Sequence, residues 1–176
     1  VGRYATAMTD QALSKLAMPR MTTIVVVSIA LRVAAALYLG NEVTIQPGTA
    51  DQLSYHLLAG RILDGHGFTF ATGWWPATQA DEPTAHWSYL YTLFLAAVYG
   101  VVGSVPVAAR VIQAVVVGLL QPLLTYAVSR RMFDERVARG AALLVAGYAY
   151  FIYYAASLMT ESFFFAALLW SVYEAM

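Results

Sequence analysis

Three ionisable residues lie at the ends of long apolar stretches, where a charged group either does chemistry or costs energy. Asp51 and Glu161 are carboxylates, and Arg110 carries a guanidinium whose rigid fork of donors suits a phosphate. Burying such groups in hydrocarbon costs several kcal/mol, so each is a candidate functional residue. Asp51 could reach a reactant that rests at the level of lipid headgroups.

Each of these residues also has a purely structural interpretation. Thr49 and Gln52 match a capping box, and Asp51 in a first helical turn would favour the helix dipole. Arg110 could extend to the headgroups, and Glu161 could be a solvated helix start. The residue pattern alone favours the helix-end interpretation of Asp51 and leaves both interpretations open for the other two.

Metal ligation is only weakly indicated. The three histidines, His56, His66 and His86, form no His-x-His or His-x-x-x-His pair, and cysteine is absent, so the sequence carries no zinc signature. Asp81, Glu82 and His86 could ligate a divalent ion, although an acidic turn before an interfacial helix is more often solvated.

The composition indicates where these residues work. The chain has 176 residues, of which 60% are hydrophobic and 11% charged, and its mean hydropathy is +0.63. Soluble domains are roughly 45–50% apolar and about 25% charged, so we expect an integral membrane protein surrounded by lipids. The formal net charge is zero, which gives no electrostatic basis for binding nucleic acid.

The apolar stretches predict an all-α protein with about four transmembrane helices of about 20 residues each. We expect an N-terminal segment over residues 1–20, a first span over 21–40, a loop over 41–106, and spans two to four over 107–176, with the third at 140–160. The fourth span is truncated, so we expect a fragment of a longer protein. Arg32 lies inside the first span, and its expected partner is a helix of the missing part.

Basic residues predict the orientation, because they favour the cytoplasmic side. Arg3, Lys15 and Arg20 precede the first span and place the N-terminus in the cytoplasm. The connector after span two should be cytoplasmic as well, since it holds Arg130, Arg131, Arg136 and Arg139. Residues 87–102 should therefore lie in the interface as a juxtamembrane helix rather than cross, which makes the loop over 41–106 extracytoplasmic.

That long loop carries most of the candidate residues, as functional loops often do. Apolar residues recur at helical spacing over residues 52–63, which predicts an amphipathic helix lying on the membrane. Gly65-His66-Gly67 ends this helix. Residues 73–76, Gly-Trp-Trp-Pro, look like an irregular interfacial turn.

The segment 51–68 resembles a recurring feature of the polytopic glycosyltransferases that use lipid-phosphate sugars, the GT-C class. It is similar to bacterial proteins of the protein O-mannosyltransferase and aminoarabinose-transferase type. In that family an aspartate follows the first span, a tyrosine comes four residues later, and Gly-x-Gly-Phe ends the helix. Asp51, Tyr55 and residues 65–68 match these features.

Later blocks follow in the family's order. Residues 83–100 look like the family's juxtamembrane helix, residues 109–142 like its second span and basic turn, and residues 157–161 like its acidic motif before the fourth span. One block departs from the pattern. The family's prolines and preceding basic residue at the start of the juxtamembrane helix are replaced here by His86, Trp87 and Ser88.

The resemblance implies a membrane glycosyltransferase that moves a sugar from a polyprenyl-phosphate donor to an extracytoplasmic acceptor, in a bacterial inner membrane. Asp51 would be the catalytic base. Glu161 would be a second catalytic carboxylate that positions the acceptor or a divalent metal ion, which is the one candidate cofactor. Arg110, His86 and Tyr55 would bind the substrate, with Arg110 at the lipid phosphate.

Two other classes of function stay open. A non-catalytic accessory or assembly subunit of a larger membrane complex, derived from such a transferase, would explain a short chain and the lost prolines. Its partners would be other membrane subunits. A transporter would place ionisable residues in the middle of several spans, and Arg32 alone lies so, which makes a transporter the least favoured class.

Overall fold

The computed structural model describes residues 18–45, 50–76 and 78–176. In this part of the chain the structure is helical and its only β pairings are isolated bridges, so the expected all-α class is confirmed. The helices are α1 (Met21–Leu39), α2 (Asp51–Leu63), α3 (Tyr89–Val102), α4 (Pro106–Met132), α5 (Glu135–Gly147), α6 (Ala149–Ala156) and α7 (Glu161–Ala175).

Two of these helices, α1 and α4, are long and apolar enough to cross a membrane, with mean hydropathies of 2.0 and 1.8. They agree with the first two predicted spans. The predicted third span is not one continuous helix, because α5 and α6 meet at an angle of 51° and cross only if the bent pair counts as one span. Helix α7 has 15 residues, so the fourth span stays a prediction, as does the orientation.

The break between α5 and α6 has an identifiable partner in α1. Arg32 is buried and donates to the carbonyls of Val145 and Ala146 at 3.1 and 3.0 Å, to Gln121 Oε1 at 3.1 Å and to Ser28 Oγ at 2.7 Å. Carbonyls at the end of a helix lack intrahelical donors, and the Arg32 guanidinium donates to two such carbonyls at the end of α5. The partners of Arg32 therefore lie within this chain, which corrects the expectation of a partner in a missing part.

Helix α4 lies at the centre of the bundle and packs against α1, α5 and α7, while α1 also packs against α6. Small residues make these contacts, as is usual between membrane helices. Ala36, Ala114 and Ala156 form one buried cluster. A Cβ built on Gly118 would lie 3.0 Å from the Cα of Ile29, so the absence of a side chain there lets α1 and α4 approach closely.

Helices α2 and α3 pack on each other through an aromatic core that includes Tyr55, Phe70, Trp87, Tyr91 and Tyr99. Bridges pair residue 69 with 83, 70 with 80 and 74 with 78, and these hold the connecting loop against the core. We name α2, α3 and this connecting loop the loop module. It positions the candidate site.

The ends of α2 and α3 follow from local sequence signals. Helix α2 ends before Gly65 and Gly67, whose φ angles are +81° and +68°, as the Gly-x-Gly motif predicts. Helix α3 begins after Ser88, whose Oγ accepts from the Tyr91 amide at 3.4 Å. With 14 apolar residues α3 is shorter than the two spanning helices, and its place in the interface remains a prediction.

Candidate functional site

A buried glutamine holds the start of α2 against two other parts of the molecule. Gln52 is 4% exposed, and its Oε1 accepts from the Leu158 amide at 2.9 Å and from Arg110 Nη2 at 3.3 Å. Leu158 lies in the segment between α6 and α7, shortly before Glu161. Through this contact the start of α2, with Asp51 next to Gln52, is held beside the start of α7.

This contact also changes the interpretation of the start of α2 as a capping box. The residue that precedes the helix is Ala50, and no side chain caps it. Thr49 lies outside the described residues. Because the Gln52 side chain bonds to Leu158 and Arg110, it is engaged in a tertiary contact and does not reach back to cap its own helix.

The charge of Asp51 acts on Glu161, and both carboxylates act on the same phenol. Burial raises the pKa of Glu161, and the negative charge of Asp51 raises it further. Burial raises the pKa of Tyr55, and both carboxylates add to this effect. The Tyr55 hydroxyl accepts from the Ser88 amide at 3.4 Å, and its ring meets Tyr91 edge-on at 4.9 Å. The structure thus brings Asp51, Tyr55 and Glu161 together.

Glu161 is a half-buried helix start and is not fully solvated. Its Oε2 is buried and has no hydrogen-bond partner among the described residues, and the N-cap residue Thr160 makes no side-chain cap. A buried acceptor without a partner costs about 1–3 kcal/mol, so a native structure needs a reason to keep one. A ligand hydroxyl, a water or a cation would satisfy this oxygen.

The Arg110 side chain bonds mainly to backbone carbonyls and does not face open space. It is 1% exposed, Nη1 donates to the carbonyls of Leu39 and Gly40 at 3.1 and 2.7 Å, and Nη2 donates to that of Glu42 at 2.7 Å as well as to Gln52. It therefore does not extend to the headgroups. Its interpretation as a phosphate ligand gains no geometric support, because both terminal nitrogens already serve as donors to the chain.

A second buried glutamine extends this network along α4. Gln113 Nε2 donates to the carbonyls of Tyr154, Ala155 and Ser157 at 3.1, 3.1 and 2.8 Å, while its Oε1 accepts from the Tyr91 hydroxyl at 2.8 Å. The amide therefore joins the end of α6 to the loop module. This bond fixes the segment that leads into Glu161.

Sequence reasoning selected charged residues and missed the buried amides. Gln113 and Gln121 both lie in the uncharged apolar run of the second span, and Gln121 donates to the Ser162 carbonyl at 3.2 Å. Polar side chains inside a span face the interior of the bundle, and this rule would have identified both. Gln52 carried no comparable signal, because it follows Asp51 in a loop helix of mixed polarity.

An apolar groove of about 720 Å³ opens beside the carboxylates, between α3, α4 and α7. Its polar end is formed by Ser88, Tyr91 and Thr160, which places that end next to Glu161 and Tyr55. The rest of the groove is lined by hydrocarbon and aromatic side chains, which include Leu93, Phe94, Leu120, Leu124, Phe163 and Trp170.

The remaining predicted site residues lie around the loop module. His86 is exposed, and its ring meets Trp75 and Trp87 edge-on at 5.9 and 4.7 Å. Asp81 forms an ion pair with Arg61. In the weakly indicated metal site of Asp81, Glu82 and His86, the first carboxylate is therefore already bound to another side chain.

A divalent ion at the main site would have few protein ligands. No group of three His, Asp or Glu side chains able to hold a metal occurs in the part of the chain that the structure describes. Asp51 and Glu161 would supply two carboxylates, and substrate oxygens and water would complete the coordination, as is usual for Mg²⁺.

His56 is the histidine that the loop module encloses. Its Nδ1 lies 3.0 Å from the Tyr99 hydroxyl, and burial, followed by the positive charge of Arg110, lowers its pKa below the ordinary 6.5. Below about pH 6.5 the unfolded chain therefore binds more protons at this residue than the folded protein. Its contribution to stability is present above that pH and is lost as the pH falls through the lowered pKa.

Replacing His56 with glutamine should remove this pH dependence while keeping a hydrogen-bonding side chain. The unfolding temperature of the variant should fall less than that of the wild type between about pH 7 and pH 5. His66→Gln, an exposed histidine at the end of α2, serves as the control and should follow the wild-type profile. Equal acid sensitivity of His56→Gln and wild type would contradict the assignment.

Comparisons of the chain with protein-family models, with curated proteins and with solved structures give no match. The resemblance to the lipid-phosphate glycosyltransferases therefore stays an expectation that rests on the motifs themselves.

Proposed function

We propose that the protein is a membrane glycosyltransferase that moves a sugar from a polyprenyl-phosphate donor to a hydroxyl or amine acceptor on the extracytoplasmic side. One observation carries the proposal: two carboxylates, Asp51 and Glu161, lie near each other beside the polar end of an apolar groove. A lipid-phosphate sugar has the matching chemistry, because a polar sugar phosphate is joined to a long hydrocarbon chain.

The groove suits the hydrocarbon chain of the donor. Leucine and phenylalanine side chains of α3, α4 and α7 form its walls, and it is open along one side. A chain longer than the groove could therefore continue into the surrounding lipid. With the chain in the groove, the phosphate would lie near Ser88 and Thr160, beside Glu161.

Asp51 would act as the general base of a single displacement. It takes the proton of the acceptor as the acceptor oxygen or nitrogen bonds to the anomeric carbon, and the bond from that carbon to the phosphate oxygen breaks. The bonding electrons leave with the lipid phosphate, which needs little help from an acid. The configuration at the anomeric carbon is inverted.

The other residues would support this step. The unpaired Oε2 of Glu161 would accept a hydrogen bond from the acceptor or bind a divalent ion beside the phosphate. His86 stays a candidate ligand of the phosphate. Arg110 contributes through Gln52, because its bonds hold the start of α2, and with it Asp51, in place.

Filling the groove tests the proposal through the donor. Ala167 lines the groove and Leu168, its neighbour on α7, does not. Ala167→Trp should raise the KM for a long-chain polyprenyl-phosphate sugar about tenfold, since excluding about two methylenes from an apolar site costs ~1.6 kcal/mol. Leu168→Trp is the matched control and should leave the KM within about twofold.

Measurements use purified full-length protein in lipid nanodiscs, with transfer followed by release of the lipid phosphate. A donor with a ten-carbon chain should be affected less by Ala167→Trp than the long-chain donor. Equal KM changes in the two tryptophan variants would mean that the groove does not hold the donor. A wild-type protein that transfers sugar from no polyprenyl-phosphate donor would favour the accessory-subunit alternative.

A further inference from the structure

A smaller cavity of about 280 Å³ lies on the other side of α2. Successive residues of an α-helix are about 100° apart around its axis. The α2 residues that line this cavity therefore lie on the side of the helix away from Asp51 and Tyr55. Three of the residues that line it belong to α2, one follows the end of that helix and two belong to the connecting loop: His56, Gly60, Arg61, Asp64, Thr72 and Trp74. The cavity is thus separate from the paired carboxylates.

One wall of this cavity is a fixed aromatic ring. Trp74 stacks on Phe70 with ring centres 5.2 Å apart and planes 13° apart, and its Nε1 donates to Ser54 Oγ at 2.9 Å. Both contacts hold the indole in one orientation. A ligand therefore meets a preformed apolar surface, which reduces the entropy lost on binding.

The opposite side of the cavity offers both donors and acceptors. Arg61 uses Nε and Nη2 to bond Thr69 and Asp81, while Nη1 has no partner in the described part of the chain. The carboxylate of Asp64 likewise makes no hydrogen bond or ion pair with described residues. His56 has its Nδ1 bonded to the Tyr99 hydroxyl, so Nε2 is the ring nitrogen left for a ligand.

The charges around this cavity restrict the ligands it can take. Arg61 is already paired with Asp81, Asp64 adds one negative charge, and the lowered pKa of His56 favours the neutral imidazole near pH 7. A phosphate would be opposed by Asp64, and a metal cation by Arg61. A wholly apolar molecule would cover the Asp64 carboxylate without offering it a partner, which costs free energy.

We propose that this cavity binds one neutral monosaccharide unit. A pyranose has an apolar C–H face that fits the indole of Trp74, and a rim of hydroxyls that both donate and accept. Those hydroxyls match Arg61 and Asp64 on the polar side. The volume is below that of pockets for drug-sized ligands, as a single sugar ring requires.

Gly60 provides a direct test, because a Cβ built there meets no atom within 4 Å. Gly60→Ala should keep the cavity open, while Gly60→Leu should fill it, and both replacements favour the helix relative to glycine. The probes are the methyl glycosides of glucose, galactose, mannose and N-acetylglucosamine. Their binding to full-length protein in nanodiscs is measured by saturation-transfer NMR, without a lipid donor.

We expect at least one glycoside to bind wild type and Gly60→Ala with similar affinity, and to bind Gly60→Leu at least tenfold more weakly. Asp64→Asn, a change at an exposed carboxylate, should also weaken binding, which covers the case of a leucine variant that does not fold. Each variant's unfolding temperature is recorded to verify its fold.

Three results would overturn the proposal: no glycoside bound by wild type, equal binding by a folded Gly60→Leu, or inorganic phosphate bound in place of the glycosides. None of these measurements involves sugar transfer. A protein that transfers sugar but binds no glycoside here would refute this proposal alone. A protein that binds glycosides but transfers none would refute the proposed function alone.

Discussion

Replacing Asp51 with asparagine should abolish sugar transfer from a polyprenyl-phosphate donor while the protein stays folded. Asparagine has nearly the same shape but cannot take a proton from the acceptor. General-base catalysis contributes about 100- to 10,000-fold to a rate, so kcat should fall by a factor in that range. Transfer is measured with full-length protein in nanodiscs at a saturating donor concentration.

The same substitution should have little effect on folding. Asp51 occupies the first turn of α2, where a negative charge interacts with the helix dipole by about 0.3–1 kcal/mol. Losing this interaction should change the free energy of unfolding by no more than about 1 kcal/mol. The bonds of the neighbouring Gln52 to Leu158 and Arg110 do not involve the Asp51 side chain and should persist.

Asp134→Asn provides the matched control. Asp134 caps α5, where its Oδ1 accepts from the Val137 amide at 2.9 Å, and asparagine caps helices equally well. This variant should therefore keep both stability and transfer. If Asp51→Asn retained near-normal transfer, or lost activity only in proportion to folded protein, Asp51 would be a helix-end residue and the catalytic proposal would fail.

Local signals in the sequence predicted much of the helical framework. The apolar runs of α1 and α4 identified the two helices that are long enough to cross a membrane. The apolar spacing and the motif Gly65-His66-Gly67 predicted the end of α2, and the positive φ of Gly65 agrees with that prediction. These features depend on neighbouring residues alone, so a single sequence contains the information needed to predict them.

Other features depend on contacts between distant residues and could not be read locally. The break between α5 and α6 is matched by the side chain of Arg32, which comes from a helix far earlier in the chain. The bond between Gln52 and Leu158 likewise joins segments with no shared sequence pattern. Such pairings are decided by which side chain reaches an unpaired carbonyl or amide once the helices have packed.

Asp51, Glu161 and Arg110 show, within one site, the difference between what the sequence predicts and what depends on contacts between distant residues. A common surface for Asp51 and Glu161 followed from the predicted topology, and the structure brings the two side chains into electrostatic interaction. Arg110 was expected at the same surface with its donors free. In the structure, carbonyls at and just after the end of α1 lie beside Arg110 and lack intrahelical donors. The guanidinium donates to these carbonyls.

Removing the guanidinium of Arg110 should therefore destabilise the protein strongly. Arg110→Met has a similar length, but it removes the donors that now bond to the carbonyls of Leu39, Gly40 and Glu42. A hydrogen bond to a charged group contributes about 1.5–3 kcal/mol, and water bonding to the partly exposed carbonyls should limit the total loss of unfolding free energy to about 3–5 kcal/mol. Chemical denaturation in detergent micelles measures it.

An exposed arginine gives the reference for this loss. Arg130 pairs with Glu135 at 3.0 Å with both side chains partly exposed, so Arg130→Met should cost less than about 1 kcal/mol. If the two methionine variants unfolded at the same denaturant concentration, the bonds of Arg110 to the backbone would contribute nothing measurable.

Arg110→Lys distinguishes a positioning residue from a phosphate ligand. Lysine keeps the charge but cannot reach all the carbonyls with a planar fork, so the variant should fold with a loss of about 1–2 kcal/mol. Since Arg110 holds Gln52 and through it the start of α2, kcat should fall while the donor KM stays within about twofold. A raised donor KM with unchanged kcat would instead place the lipid phosphate on Arg110, because only a group that contacts the donor equally in ground state and transition state changes KM alone.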